Sequence, residues 1–368
     1  MATEPVRAMT LGKRLRPVLT VVSIVAVGAL LLTFWFRGDS SVGGEFGISA
    51  GCCIGGLSDS ELDTELAAQK ELGAEWLRID ISWSHVERRR GIADWVDADR
   101  LVAAAHEHGF EVLPVLAYTP AWARNPVCAA AGEMCEPADV EMFAAFAEAV
   151  VRRYGPRGVR AYELWNEPNI AAFWKPRPDP EKYAALVRSA SRRMKAVDRS
   201  IIVIAGSTAP AGAHNDSDCS RLGQDASDKV NPINFLERVY AAGAGASFDA
   251  ISHHPYADPD GPATLVRCSA WSQMVDTSPS LRSVMIANGD GDKKIWGTEF
   301  GSSVAIVGEA RQAVYLRDGF VRWKTYSWAG PLFWFTFNAY ASDPDAYGLI
   351  REDRSERPAA DVFRQLAR

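Results

Sequence analysis

The sequence predicts an α/β fold, a single (β/α)8 TIM barrel, preceded by an N-terminal transmembrane signal-anchor helix. Three observations carry this expectation. Short β-rich runs alternate with amphipathic helical stretches, the pattern of a parallel α/β sheet. One run, Ile201-Ile202-Val203-Ile204-Ala205, is apolar without a break, as a strand buried on both faces requires. An uncharged and mostly apolar stretch, Pro17 to Phe36, comes before all of them and has the length of a bilayer span, about 20 residues.

In chain order, residues 1–16 form a basic N-terminus with Arg7, Lys13, Arg14 and Arg16. Residues 17–36 form the anchor, 37–45 a Gly/Ser linker, and 46–368 the barrel domain. Basic residues before the span place the N-terminus in the cytoplasm and the barrel outside, and Phe34, Trp35 and Phe36 stand where an interfacial aromatic belt lies. The rival reading is a secretory signal cut near Ser41–Gly44. The length of the span favours the anchor, because a cleavable signal has an apolar core of only about 7–15 residues. The expected location is therefore the cell membrane, single-pass, with the folded domain extracytoplasmic.

Strands are expected at Phe46–Ala50, Trp76–Trp83, Glu111–Tyr118, Ala161–Trp165, Ile201–Ala205, Ala250–His254, Lys294–Thr298 and Leu332–Phe337. Helices are expected at Ser60–Leu72, Asp97–His108, Glu141–Tyr154, Pro180–Val197, Asn234–Ala242 and Gln312–Trp328. The roughly 320 residues after the linker suit one barrel with insertions and contain no internal repeat, so a monomer of one domain is expected. A doubly wound open sheet is the alternative, but Gly51-Cys52-Cys53-Ile54-Gly55-Gly56 does not match its phosphate-binding fingerprint.

The net charge is −6, and residues 1–37 carry +4, so the remainder carries −10. Such a body has no electrostatic attraction for nucleic acid and is a poor host for strongly anionic polysaccharides. Six cysteines in an exported chain suit disulfides. Cys128 with Cys135 closes a small loop, and Cys219 with Cys268 ties two long loops, Ser207–Pro232 and Ala257–Pro279. Cys52 and Cys53 remain unassigned. The spacing of Cys and His supports no metal site, and no cofactor is expected.

Two strings carry the chemistry: Leu164-Trp165-Asn166-Glu167-Pro168-Asn169 and Trp296-Gly297-Thr298-Glu299-Phe300-Gly301. Each places a glutamate where a β-rich run ends, at the fourth and seventh strands, so both face the mouth formed by the C-terminal strand ends. Paired carboxyl groups flanking one sugar are what glycosidic hydrolysis with retention needs. A lone Asn-Glu-Pro or a lone strand glutamate is more often structural, and the joint register makes the case for this pair.

The chain resembles glycoside hydrolase clan A, most closely family 39 and family 5 bacterial endoglycosidases. The resemblance rests on both glutamate strings, on Arg78-Ile79-Asp80, on Trp83 with Glu87 and Trp95, on Tyr118-Thr119-Pro120-Ala121-Trp122, and on Phe173-Trp174. It covers residues 46–368 and implies that Glu167 is the general acid/base and Glu299 the nucleophile. It further implies that Arg78 and Tyr256 keep Glu299 ionised, that Asn166 binds a sugar hydroxyl, and that His254-Pro255-Tyr256 is the family's His-x-Tyr. Tyr118 stands where family 5 usually has a histidine, which tilts the likeness towards family 39.

Sugar rings stack on aromatic faces, and Trp122, Trp174 and Trp334 fall at or beyond strand ends. Trp334 matches the clan's sugar-platform tryptophan. Trp83 and Tyr340 are weaker candidates, Trp95, Trp323 and Trp328 are expected in the core, and His253 is expected to pack. The implied activity is an endo-acting retaining β-glycosidase on an envelope or secreted polysaccharide. A transglycosylase and a non-catalytic carbohydrate-binding barrel are the alternatives.

Overall fold

The computed structural model describes residues 1–2, 45–51, 54–211, 227–263, 269–338 and 346–368. The anchor, the linker up to residue 44, Cys52, Cys53, Cys219, Cys268 and Tyr340 lie outside the described residues. Among the described residues no helix is long and apolar enough to cross a membrane.

The described residues from Glu45 onwards form one compact unit. Its strands are β1 (Phe46–Ser49), β2 (Trp76–Ser82), β3 (Glu111–Ala117), β4 (Ala161–Leu164), β5 (Ile202–Thr208), β6 (Ala250–His253), β7 (Lys294–Phe300) and β8 (Ala329–Phe335). They pair in parallel, in sequence order, and β8 closes on β1. The (β/α)8 barrel is therefore present.

The outer layer contains α1 (Asp59–Glu71), α2 (Val96–Glu107), α3 (Val140–Tyr154), α4 (Pro180–Val197) and α5 (Pro232–Ala241). It continues with α6 (Ala270–Val275), α7 (Leu281–Ala287), α8 (Glu309–Trp323) and α9 (Pro358–Leu366). Local chemistry sets several starts. Ser58 and Glu61 form a capping box at α1, and Asp179 followed by Pro180 opens α4. Three of these helices, α6, α7 and α9, were not expected. The six residues of α6 and seven of α7 are too few to show a period, although Ser269 and Ser280 cap them. The third, α9, closes the barrel wall by setting Phe363 edge-on to Phe46 and Phe320.

Inside the barrel, side chains stack in layers. The lowest is aromatic: Trp76 meets Trp296 at 5.3 Å and Phe333 at 6.3 Å between ring centroids. Gly47 makes room for it, because a Cβ there would lie 2.3 Å from Phe333 Cδ1. Above this plug the layer is polar, with Ser49, Arg78, Glu163 and Ser252 in contact.

Two irregularities between β7 and β8 correct the expected strand bounds. Ile295 pairs with Ala329 but Gly297 pairs with Leu332, so β8 carries an extra residue beside Gly330 and Pro331. The strand thus begins earlier than the proline suggests, because the bulge absorbs its missing N–H. Between Gly297 and Phe300 the extra residue lies on β7 instead. Without it, strict alternation would set Glu299 on the same side as Gly297, whose missing Cβ faces Trp323 and Leu332. The bulge turns Glu299 inward and sends Phe300 out against Trp271 and Trp334.

Gly47→Ala is expected to lower unfolding free energy by about 1–3 kcal/mol, the usual cost of overpacking. Urea denaturation of the variant beside the parent chain checks it, and an unchanged midpoint would refute the layer packing.

Candidate active site

Arg78 organises the mouth. Its Nε donates to Glu163 Oε2 at 2.7 Å, its Nη1 to Glu299 Oε1 at 2.7 Å, and its Nη2 to Asn166 Oδ1 at 2.9 Å. The same Nη1 reaches Ser49 Oγ at 3.2 Å. Glu163 in turn accepts from Ser252 Oγ at 2.5 Å. Burial alone would lower the Arg78 pKa, but Glu163, Glu299 and Asp80 raise it above its usual value, so the guanidinium stays charged.

Glu299 accepts from Arg78 on one oxygen and from the Tyr256 hydroxyl, 2.8 Å away, on the other. Burial pushes its pKa up. The His254 imidazole, the Arg78 guanidinium and the two hydrogen bonds overcome this and hold it below the usual carboxylate range. Tyr256 is itself pushed well above its ordinary pKa, first by burial and then by the charge of Glu299, so it remains a donor.

Glu167 lies just beyond β4, with φ of 47°. Trp165 two residues before it has φ of 73°, and Tyr118 after β3 has φ of 66°. Left-handed backbone at non-glycine residues costs energy and concentrates where a site must aim its side chains. Here it turns Glu167 Oε1 to within 2.8 Å of His254 Nδ1. One ligand-type atom from each of Glu167, His254 and Glu299 lies within 4.8 Å of the others.

That trio has metal-ligand chemistry but is already filled. Both Glu299 oxygens accept from protein donors, and a guanidinium sits 2.7 Å from one of them, which opposes a second cation.

The expected residues divide into two groups. Arg78, Asn166, Glu167, His254, Tyr256 and Glu299 converge. His253 packs as expected: its Nδ1 pairs with Thr208 Oγ1 and its Nε2 with the Ala270 carbonyl. Burial draws its pKa down to about 4, so it is neutral. Tyr118 lines a cleft of about 490 Å³ with Gly51, Asp80, Glu133 and Phe173, whose lining includes neither Glu167 nor Glu299.

The tryptophans are corrected. Trp334 is fully buried and faces outward, edge-on to Phe300 at 5.5 Å, because the β1–β8 register sets it beside Ile48. Phe335, paired with the inward Ser49, takes the inner place and meets Tyr256 at 6.4 Å. Trp174 is also fully buried: it lies 4.9 Å from Trp165, and its Nε1 donates to Glu136. Its neighbour Phe173 lines the cleft instead. Trp122 is half-buried, donates to the Glu87 carbonyl, lies under Arg90 and does not line the cleft. Trp83 is buried in the core. Periodicity marked these positions as strand ends but could not tell which of two neighbours faces inward.

Cys128 and Cys135 are bonded, as expected. Sequence reasoning missed Glu163 and Ser49, and it noted Asp80 within Arg78-Ile79-Asp80 without giving it a role. The first two could have been found as small or acidic residues at inward positions of β1 and β4, in line with Arg78.

No family model matches the chain, and no curated protein does. Among solved structures it is similar to a family 39 glycoside hydrolase from the gut symbiont Bacteroides cellulosilyticus WH2, with TM-score 0.67 and 21% identity over 88% of this chain and 63% of that one. A monomeric β-xylosidase from Caulobacter crescentus CB15 gives 0.61 and 19%, over 88% and 68%. A GH5_18 protein from Bifidobacterium longum subsp. longum gives 0.63 and 15%, over 88% and 78%. The chain thus spans less than two thirds of the first of these. At such identities the likeness establishes the fold, the barrel of the family 39 and family 5 glycoside hydrolases that the two glutamate strings resemble.

Asp80 stands on β2 two residues past Arg78. Burial, followed by repulsion from Glu299, Glu163 and Glu133, outweighs the attraction of Arg78 and raises its pKa to about 6. A raised carboxyl pKa means that the folded chain binds more protons than the unfolded one between about pH 4 and 6, so stability falls as pH rises through that window. Asp80→Asn removes this cost. It should match the parent at pH 4 and exceed it by about 1–3 kcal/mol at pH 7 in urea denaturation. Equal stabilities at pH 7 would refute the buried-charge reading.

Proposed function

We propose that this protein is a retaining β-glycosidase, endo-acting on an envelope or secreted polysaccharide and held at the outer face of the membrane by residues 17–36. The observation that carries the reading is the carboxylate pair: oxygens of Glu167 and Glu299 lie within 4.8 Å on strand ends four and seven. Retention needs a separation of about 5–5.5 Å, whereas inversion needs about 6.5–9.5 Å to admit a water.

In the first step Glu167 gives its proton to the glycosidic oxygen while a Glu299 oxygen bonds to the anomeric carbon, and the departing sugar leaves as an alcohol. In the second, Glu167 takes a proton from water, whose oxygen displaces Glu299. Arg78 and Tyr256 hold Glu299 ionised and aimed. Asn166, its side-chain oxygen fixed by Arg78, is placed to meet a hydroxyl beside the reacting carbon. The residues that do this work are all supplied by the chain itself.

β-Linkage is favoured by similarity to structures named for β-xylosidase and exo-β-1,4-mannosidase activity. Endo action is favoured by a cleft that runs from Asp80 and Tyr118 to Arg88 and so offers room beyond a single sugar unit.

Glu299→Gln should lower turnover by at least about 10⁴-fold while retaining oligosaccharide binding. Proton NMR of the first product formed by the parent chain should show the substrate's anomeric configuration. The opposite anomer would replace retention with inversion. For the anchor, membrane fractionation and intact mass of the expressed chain should find residues 1–45 present and the protein in the membrane pellet. A soluble product cut near Ser41 would exclude it.

A further inference from the structure

Asp80 is an inner-barrel acid that the proposed chemistry leaves unused. Glu163 is held by Arg78 and Ser252, Glu299 by Arg78 and Tyr256, and Glu167 by His254. The Asp80 carboxylate accepts no hydrogen bond from any described residue, and it opens into the cleft beside Gly51, Tyr118 and Glu133. Its position follows from β2. Arg78 and Asp80 point to the same inner face, and two residues of strand place the Asp80 Cα about 6–7 Å further along β2 towards the mouth than the Arg78 Cα. Asp80 feels the charge of Glu299, which makes the two near neighbours, so a sugar ring seated over Glu299 would meet this carboxylate.

Asp80 is half-buried and its carboxylate has no donor among the described residues, so a molecule bound in the cleft is what can supply one in place of water. The cations of the cleft are no substitute: His85 and Arg88 are exposed at its rim, and His85 lies 3.9 Å from Glu133. Asp94 and Asp97 add further negative charge to the same wall. What fits beside Asp80 is a group rich in O–H donors and free of negative charge.

We propose that Asp80 is a specificity-determining residue: its carboxylate accepts hydrogen bonds from hydroxyls of the sugar held over Glu299 and repels a sugar bearing a carboxylate, so the substrate is a neutral glycan. The proposal rests on the retaining-glycosidase reading and narrows its substrate class. The fold does not need this charge, so the residue is placed for the ligand.

The test uses full-length chain and dinitrophenyl β-glycosides fluorinated beside the anomeric carbon, which trap the sugar on the nucleophile. The neutral probes are the glucoside, mannoside and galactoside, and the anionic probe is the glucuronide. Intact and peptide mass spectrometry reads the rate of labelling at Glu299. The parent chain should be labelled by at least one neutral probe about 100-fold faster than by the glucuronide, as charge-assisted hydrogen bonds allow. Asp80→Asn should slow that neutral probe by about 10–100-fold, leave the glucuronide no slower, and narrow the ratio below about tenfold. An unchanged ratio, or an equal loss with both probes as a merely structural role would give, overturns the proposal. A parent chain that prefers the glucuronide overturns it too. No label on Glu299 from any probe overturns the Asp80 proposal, whereas the retaining reading stands or falls on the product configuration read by proton NMR.

Discussion

The guanidinium of Arg78 is the constraint on which the rest of the site depends. It is buried at the barrel axis and joins β1, β2, β4 and β7 through Ser49, Glu163, Asn166 and Glu299. An unpaired buried cation would be expensive, so its carboxylate partners are required by the fold as much as by the chemistry. The same bond that neutralises Arg78 keeps Glu299 ionised. Stability and nucleophilicity are thus coupled in one contact, and a change that loosens either loosens both.

Around that axis the barrel departs from regularity where the site needs it to. The β7 bulge shifts the parity of the strand by one residue and turns Glu299 inward. Left-handed backbone at Tyr118, Trp165 and Glu167 redirects the ends of β3 and β4. These distortions sit on a rigid support. Beneath them lies the plug of Trp76, Trp296 and Phe333, and outside them Trp165, Trp174 and Tyr183 pack edge to face. Aromatic layers of this kind bury much area per residue and resist the relaxation that strain would otherwise drive.

Charge balance in the mouth explains why its acids behave differently. A single guanidinium faces Glu163, Glu299 and Asp80, and it hydrogen-bonds only the first two. Glu299 is drawn below the ordinary carboxylate range and Asp80 is pushed above it. Such a division among neighbouring carboxyl groups is what separates roles within one site.

The eight-strand alternation, the placement of Glu167 and Glu299 at strand ends four and seven, and the Cys128–Cys135 pair were legible in the sequence. Period, turn residues and short-range spacing are local properties, and a chain displays them before it folds. Arg78, Asn166 and Tyr256 were legible only through resemblance, since nothing local marks which strand residues converge. The choice between Trp334 and Phe335, or between Trp174 and Phe173, was not legible at all. Adjacent residues on a strand face opposite sides, so a register or bulge set by a partner strand decides which of two aromatics meets the ligand. The sequence by itself determined the barrel and its pair of acids. Tertiary structure decided what surrounds them, because those contacts join residues far apart in the chain, and only closure of β8 on β1 brings them together.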